Sequence, residues 1–245
     1  MIALAAGAVF LGAALQSATG FGFALVAAPL LFVILGPQEA VTAGVLLGLE
    51  LNLLTLAGEG RRPRVERGDA LALVGWSLPG LVLGALALRE LPDHLLSLLV
   101  ALAVLAGLAL RLRARRPGAG AAPTAPPRPW QTAVAGASSG ALATSTSLSG
   151  PPLVFYLLAR GISPVQVRDT LAAVFVALSL IGTPVLLATG TFAVPAAVGV
   201  LLLAGAVGQL LGRRAFARLV GDRYENAVLA VLAATALIAL ATTPL

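Results

Sequence analysis

Ten apolar segments, separated by short stretches rich in Gly, Pro or Arg, constrain this chain more than any other feature. A helix needs about 20 residues to cross about 30 Å of hydrocarbon, and a succession of such runs is typical of a polytopic membrane protein. Only 11% of the residues are charged, against about 25% in soluble domains, so an ordinary water-soluble fold is excluded. We expect an all-α polytopic membrane protein. The segments cover residues 2–17, 21–36, 40–58, 69–88, 95–110, 130–148, 151–159, 170–189, 191–212 and 225–243.

The positions of the arginines predict how these segments cross the bilayer. Fifteen of the sixteen arginines fall in four loops, and the exception is Arg89. The seventh segment is too short to cross at about 1.5 Å per residue, so it is predicted to be a half-helix that returns to the side from which the sixth segment enters. All four loops then lie on one side, which the positive-inside rule identifies as the cytoplasm, whereas a single crossing by the two segments would leave nine arginines inside and seven outside. The predicted cytoplasmic loops are 59–68, 111–129, 160–168 and 213–223, with both termini external.

The two halves of the chain repeat one another. Residues 12–22 align with residues 140–150, and each motif is followed by a short apolar run, a turn with Pro and three longer helices. Because three is odd, the second half enters the membrane in the opposite sense, and such inverted repeats with interrupted helices are a hallmark of secondary transporters. The predicted first repeat covers 1–110, with a hairpin at 2–36 and helices at 40–58, 69–88 and 95–110. A cytoplasmic linker, 111–129, leads to the second repeat, 130–245, with a hairpin at 130–159 and helices at 166–189, 191–212 and 225–243.

The two interruptions are chemically matched and predict an anion site. Irregular backbone at membrane depth is tolerated only where it is buried or lines a cavity, and a helix N-terminus offers unpaired N–H groups and about half a positive charge. Two such ends entering from opposite faces would meet near the midplane around a small oxyanion. The alternative is that these small residues only allow close helix packing. The predicted substrate-binding residues are Gln16, Ser17, Thr19, Gly20, Phe21, Gly22, Thr144, Ser145, Ser147, Ser149, Gly150 and Arg168.

Charged residues near or inside the apolar segments add two hypotheses. Arg168 lies beside Asp169 before the eighth segment, and it is either an inner vestibule charge that draws in an anion or a cytoplasmic anchor paired with Asp169. Glu50 lies centrally in the third segment, where an acidic residue costs about 2.5–3.5 kcal/mol on insertion scales, so its default interpretation is functional. We interpret Glu50, with Asn52 nearby on the same helix, as a proton site or a gate. The alternative is a protonated or hydrogen-bonded structural Glu.

The sequence contains few residues that could support metal binding or catalysis. It has no Cys and a single His, His94, in a predicted loop, so we expect no metal site and no cofactor. We expect no enzyme, because no HExxH motif, catalytic Ser–His pair or mid-membrane Asp is present. The cytoplasmic arginines account for the net charge of +6, and no nucleic-acid partner is expected. An anion channel built from the same broken helices, or a transporter of a different small anion or cation, stays open.

Taken in order and in both halves, these motifs resemble the sulfite exporter TauE/SafE family of membrane permeases. The resemblance covers nearly the whole chain, and it rests on residues 12–22, Pro29-Leu30-Leu31, Leu78-Pro79-Gly80 with Gly84, Ser147 to Pro152 and Gly161 to Arg168. It implies transport of sulfur oxyanions or organosulfonates, such as sulfite or sulfoacetate, across the bacterial cytoplasmic (inner) membrane, without fixing the substrate or the direction. By resemblance we assign substrate contact to the tip residues and, less directly, to Arg168, whereas Glu50 has no place in the family pattern.

Overall fold

The computed structural model describes residues 1–58, 60–114 and 128–216, and all regular structure in them is helical. The all-α prediction is confirmed for this part of the chain. The tenth segment, 225–243, and most of the linker 111–129 lie outside the described residues. The helices are α1 (Ile2–Thr19), α2 (Phe23–Leu35), α3 (Pro37–Ala57), α4 (Arg67–Glu90), α5 (Asp93–Ala114), α6 (Pro129–Thr146), α7 (Gly150–Ala159), α8 (Pro164–Ala188) and α9 (Val198–Phe216).

The described helices differ in whether they are long enough to cross a bilayer. Three helices, α3, α4 and α8, are each long and apolar enough to span a bilayer. By contrast α7 has 10 residues, and its length of about 15 Å covers half of the hydrocarbon. Thr132 in the first turn of α6 donates a hydrogen bond to Tyr156 Oη near the end of α7 at 3.1 Å, so these two helices run antiparallel. The seventh segment is therefore the short arm of a hairpin.

The ninth helix begins later than the sequence indicates. The apolar run from residue 191 predicts a helix over 191–212, but α9 spans Val198–Phe216. Gly190 has a φ of 73° and closes α8, and Pro195 disfavours helical geometry at the residue before it and lacks an N–H. Residues 191–195 are consequently non-helical although they are apolar. Arg213 and Arg214, which the sequence places in a loop, lie in the last turn of α9.

Glycines allow two pairs of helices to pack backbone against backbone. A Cβ added to Gly84 of α4 would lie 2.1 Å from the carbonyl oxygen of Ala141 in α6. A Cβ added to Gly208 of α9 would lie 2.4 Å from the carbonyl oxygen of Phe10 in α1. Because lipid tails are as apolar as Leu, close packing through small residues is a principal source of helix association in a bilayer. The pairs α4–α6 and α1–α9 thus hold the bundle together, and α3 also packs against α8.

Ion pairs hold one end of the bundle. Arg61, in the loop after α3, donates to both carboxylate oxygens of Asp169 at 2.7 and 3.0 Å. Arg160, at the end of α7, pairs with Asp69 in the first turn of α4 at 2.8 Å. The hydrogen bond to Asp69 raises the pKa of Arg160. The α3–α4 loop and the α7–α8 turn therefore lie at the same end, as a hairpin of α6 and α7 requires and a single crossing does not.

Candidate functional site

Both hairpins turn through short irregular tips, which we call the first tip (residues 20–22) and the second tip (residues 147–149). In the first tip, Gly20 has a φ of 78° and Gly22 a φ of 119°, both in the region that strains any residue with a Cβ. In the second tip, Ser147 caps α6 with a φ of 58°, and no other non-glycine residue in the described ranges has a positive φ. Glycines therefore shape the first bend, whereas a strained serine shapes the second.

The two tips lie at one cavity of about 60 Å³. Phe21 and Gly22 line it from the first tip, and Ser147, Leu148 and Ser149 line it from the second. One water molecule occupies about 10–15 Å³ of a cavity volume measured in this way, so the cavity has room for about four waters or for one small ion. The two bends therefore face a common space.

The first turns of α2 and α7 face this cavity with different donors. Residues 22–25 line it from α2 and residues 149–151 from α7. First-turn N–H groups have no acceptor within their own helix. Because Pro151 and Pro152 carry no N–H, α7 offers fewer backbone donors than α2, and the hydroxyls of Ser147 and Ser149 add to them. The α2 side thus supplies mainly backbone N–H groups and the α7 side mainly hydroxyls.

The charge at the cavity comes from the helix ends. No charged side chain from the described residues lines it. The two helix N-termini each contribute about half a positive charge, and no carboxylate of the described ranges opposes them at the cavity. The described part of the chain also holds no group of three or more His, Cys, Asp or Glu that could bind a metal ion.

Residues in the middle of two long helices form the cavity walls. Of these wall residues, only Asn52 was predicted from the sequence. Gly44, Gly48 and Asn52 line it from α3, and Phe175 and Ser179 line it from α8. The spacing of four residues between Gly44, Gly48 and Asn52 is a signal that places them on one helix face. The α8 wall gives no such signal, because its largely apolar residues resemble those that face lipid.

Two predicted residues serve mainly to hold the tips at the cavity. Gln16, four residues before the first tip, donates from Nε2 to Asn52 Oδ1 at 3.3 Å, and both side chains are buried. Thr144, three residues before the second tip, donates from Oγ1 to the carbonyl oxygen of Leu81 in α4 at 2.7 Å. Both line the cavity, yet their hydrogen bonds join each hairpin to a long helix.

Ser17 and Ser145 do not line the cavity, although the sequence predicts substrate contact for both. Each follows a cavity residue by one position and is therefore rotated by about 100° around its helix. Ser17 Oγ donates to a carbonyl oxygen of α1 at 2.6 Å, and Ser145 Oγ donates to one of α6 at 2.7 Å. The hydroxyls are used within their own helices.

Arg168 lies behind Gly20 of the first tip. Arg168 Nη2 donates to the carbonyl oxygen of Ser17 at 3.1 Å, and a Cβ on Gly20 would lie 2.5 Å from Arg168 Cγ. Neither residue lines the cavity, so Arg168 supports the first tip from outside, while the neighbouring Asp169 pairs with Arg61. The side chain of Thr19, a further predicted contact, lies outside the described part of the chain.

Glu50 and Asn52 lie on different faces of α3. Asn52 lines the cavity, whereas Glu50 Oε2 lies 3.4 Å from the position that a Cβ on Gly205 of α9 would take. Two positions along a helix correspond to about 200° of rotation, so the two side chains point nearly oppositely. The two residues predicted to act together in coupling or gating therefore lie on nearly opposite faces of α3.

Comparison with known proteins gives one family match. The family model described as Sulfite exporter TauE/SafE matches residues 4–239 of the chain. The resemblance seen in the motifs is thereby confirmed. No curated protein and no solved structure gives a significant match.

Proposed function

Because this chain belongs to the sulfite exporter TauE/SafE family of membrane permeases, we propose that it is a secondary transporter of small sulfur-containing anions, such as sulfite or sulfoacetate. The proposed binding site is the cavity between the first tip and the second tip. One observation carries the proposal: the first turns of two half-helices from different hairpins line the same small space, without any charged side chain from the described residues.

The chemistry of the cavity fits a pyramidal or tetrahedral oxyanion. Such an anion has three or four oxygens, each able to accept two or three hydrogen bonds. Residues 22–25 line the cavity from one hairpin, and Ser147 and Ser149 line it from the other, so different oxygens would be held by different tips. Neutral donors and helix dipoles bind an anion without a fixed countercharge, which leaves it free to depart. Phe21 and Phe175 would border any organic part of the substrate.

The pattern of helix contacts supports the inverted repeat on which transport would rest. In the first hairpin α1 packs on α9, and in the second hairpin α6 packs on α4. In the proposed repeat, α1 corresponds to α6 and α4 to α9, so each of these pairs is the counterpart of the other. Pro37 and Pro164 begin α3 and α8, and fifteen residues later (37 to 52, 164 to 179) stand Asn52 and Ser179, both at the cavity. We propose alternating access by rocking of the two halves around the cavity, with the Arg-rich loops in the cytoplasm.

A binding screen tests the proposed substrate class. Purified protein is heated with sulfite, thiosulfate, sulfate, sulfoacetate, taurine, simple carboxylates or metal cations. A ligand at 100 times its Kd stabilises the folded state by about 2.7 kcal/mol, so a sulfur anion should raise the melting temperature. Stabilisation by a cation, with none by any anion, would contradict the proposal.

Flux measurements separate a carrier from a channel. In proteoliposomes, a carrier gives saturable uptake that is stimulated by unlabelled substrate on the opposite side. We expect this behaviour with the anion that the binding screen selects. A linear, ohmic current carried by that anion would instead show a channel with the same architecture.

A further inference from the structure

A second polar site lies on the other side of α3 from the cavity, between α3 and α9. Glu50 faces Gly205 there, as described above, and Gln209 lies one turn further along α9. Gln209 is fully buried, and its Nε2 donates to Thr55 Oγ1 of α3 at 2.9 Å. Two acceptor oxygens at this interface, Glu50 Oε2 and Gln209 Oε1, are buried and have no hydrogen-bond donor within the described residues.

Two buried acceptors without a donor among the described residues require an explanation. An acceptor that stays unsatisfied destabilises the folded state, and such groups in native proteins usually mark a bound proton, water or ion. A single proton on the Glu50 carboxyl turns this acceptor into a donor, and an O–H donor is what Gln209 Oε1 lacks among the described residues. A hard metal cation would need about six oxygen ligands, whereas the side chains of Glu50, Gln209 and Thr55 offer four, and Thr55 Oγ1 already accepts from Gln209 Nε2. A neutral carboxyl is also the form that an apolar helix interface tolerates best.

We propose that Glu50 and Gln209 share one proton across the α3–α9 interface, and that this pair is the binding site of the coupling ion. The inference rests on the proposed transport function. The proton arrives from water on one side of the membrane and leaves to water on the other, and the only bond that forms and breaks is the O–H bond of Glu50. Gln209 accepts the hydrogen bond and holds the acid on α9.

No other ionisable residue lies near the middle of the described helices that surround this pair. Arg213, the nearest cation along α9, lies two turns beyond Gly205 and donates to the carbonyl oxygen of Gly58. The ionisable residues of α3 and of the helices in contact with it stand near helix ends: Glu39 on α3, Asp93, His94, Arg111 and Arg113 on α5, Arg128 before α6, Arg168 and Asp169 on α8, and Arg213 and Arg214 on α9, with none on α2.

The position of this pair on α3 explains how a proton and an anion would be coupled. The same helix presents Asn52 to the cavity, where Gln16 holds it, and Glu50 to α9. A rotation or shift of α3 that opens the cavity wall therefore also separates Glu50 from Gln209. Once separated, the carboxyl meets water and exchanges its proton.

Infrared spectroscopy of the reconstituted full chain tests the proton site without any substrate. At neutral pH, the wild type should show the C=O band of a protonated, buried carboxyl, and Glu50→Gln should lose it. Gln209→Leu, which removes the acceptor but keeps the bulk, should shift the band. Gln16→Leu should not, because this buried amide of α1 contacts Asn52 on the opposite face of α3. The exchanged double variant Glu50→Gln/Gln209→Glu restores an acid–amide pair and should regain the band. A wild type without the band would overturn the proposal, because Glu50 would then be ionised and would accept from a rotated Gln209 amide.

Flux under a pH gradient tests the coupling. With the membrane potential held at zero, one pH unit should change the accumulation ratio of sulfite about tenfold for one proton per anion. Glu50→Gln should abolish this tenfold effect while retaining sulfite exchange, and the double variant should recover it. Gradient-driven accumulation by Glu50→Gln equal to that of the wild type would overturn the coupling role. A wild type that keeps the infrared band but moves no sulfur anion would sink the proposed function and leave the proton site standing.

Discussion

At the scale of single residues, helical phase decides which hydroxyls can meet a ligand. Thr144 and Ser147 lie three positions apart and share the cavity face, whereas Ser145 between them turns its hydroxyl to a carbonyl oxygen of its own helix. The sequence shows a cluster of hydroxyl residues at the tip, but their orientation depends on where α6 ends. That end is set by the left-handed conformation of Ser147, which a non-glycine residue adopts only when tertiary packing supports it.

Removing one tip hydroxyl should weaken anion binding. Ser149→Ala takes away a donor at the cavity while leaving an ordinary backbone geometry, with a φ of −68°. A hydrogen bond to a charged group contributes about 1.5–3 kcal/mol, so we expect the Kd for sulfite to rise about 10- to 100-fold by calorimetry.

The matched control for this substitution is Ser145→Ala. Its hydroxyl is bonded within α6 at 2.7 Å and does not line the cavity, so its affinity for sulfite should stay that of the wild type. Equal affinity of Ser149→Ala and the wild type would remove the second tip from the binding site.

At the scale of helices, glycine spacing on α4 and α6 decides how closely they approach. The carbonyl oxygen of Ala141 lies 2.1 Å from the position that a Cβ on Gly84 would take, and the hydroxyl of Thr144 lies 2.4 Å from it. Since Thr144 precedes the second tip, this contact joins the packing of α4 to the shape of the cavity. Any side chain at Gly84 must therefore push α6 away.

Gly84→Ala should destabilise the protein, because the added methyl meets backbone atoms that cannot rotate away. Overpacking of this kind costs about 1–3 kcal/mol. For a chain of this size, about 2–4 °C is lost per kcal/mol, so the melting temperature in detergent should fall by several degrees.

Gly75→Ala on the same helix is the matched control. Nothing lies within 4 Å of a Cβ at Gly75, so this variant gains helix propensity of about 0.5–1 kcal/mol without a clash. Its melting temperature should equal or exceed that of the wild type. Identical melting of both variants would contradict the packing account.

The helix bounds show which features of the fold an apolar sequence predicts and which depend on tertiary packing. Apolar runs predicted the positions of the described helices, because a helix that crosses a bilayer must be apolar whichever helices it packs against. They failed at residues 191–197, where an apolar but non-helical stretch with Pro195 looks like the start of a helix. They also could not separate wall residues such as Phe175 from lipid-facing ones, since both are apolar and only tertiary packing distinguishes them.

At the scale of the whole molecule, cross-links between the halves tie the topology together. The loop after α3 binds the start of α8 through Arg61 and Asp169, and the backbone N–H of Glu66 donates to Thr170 Oγ1 at 3.0 Å. At the other end of α3, the N–H of Ala193 donates to Thr42 Oγ1 at 3.1 Å. Each half thus holds a loop of the other.

The absence of cysteine makes this topology directly measurable. Single cysteines at Arg62→Cys and Ser163→Cys should react with an impermeant thiol reagent from the same, cytoplasmic side. Cysteines at His94→Cys and Val194→Cys should react from the opposite side, and all four positions are accessible or partly so. Labelling of Arg62→Cys and Ser163→Cys from opposite sides would rule out the hairpin of α6 and α7.

A structure determined with selenite, a heavier pyramidal oxyanion with the shape of sulfite, tests the central claim most directly. The anomalous signal of selenium should give one peak in the cavity, within hydrogen-bonding distance of the first-turn N–H groups of α2 and of the Ser149 hydroxyl. Transport-competent protein whose cavity stays empty under saturating selenite, with peaks only at surface arginines, would contradict the account.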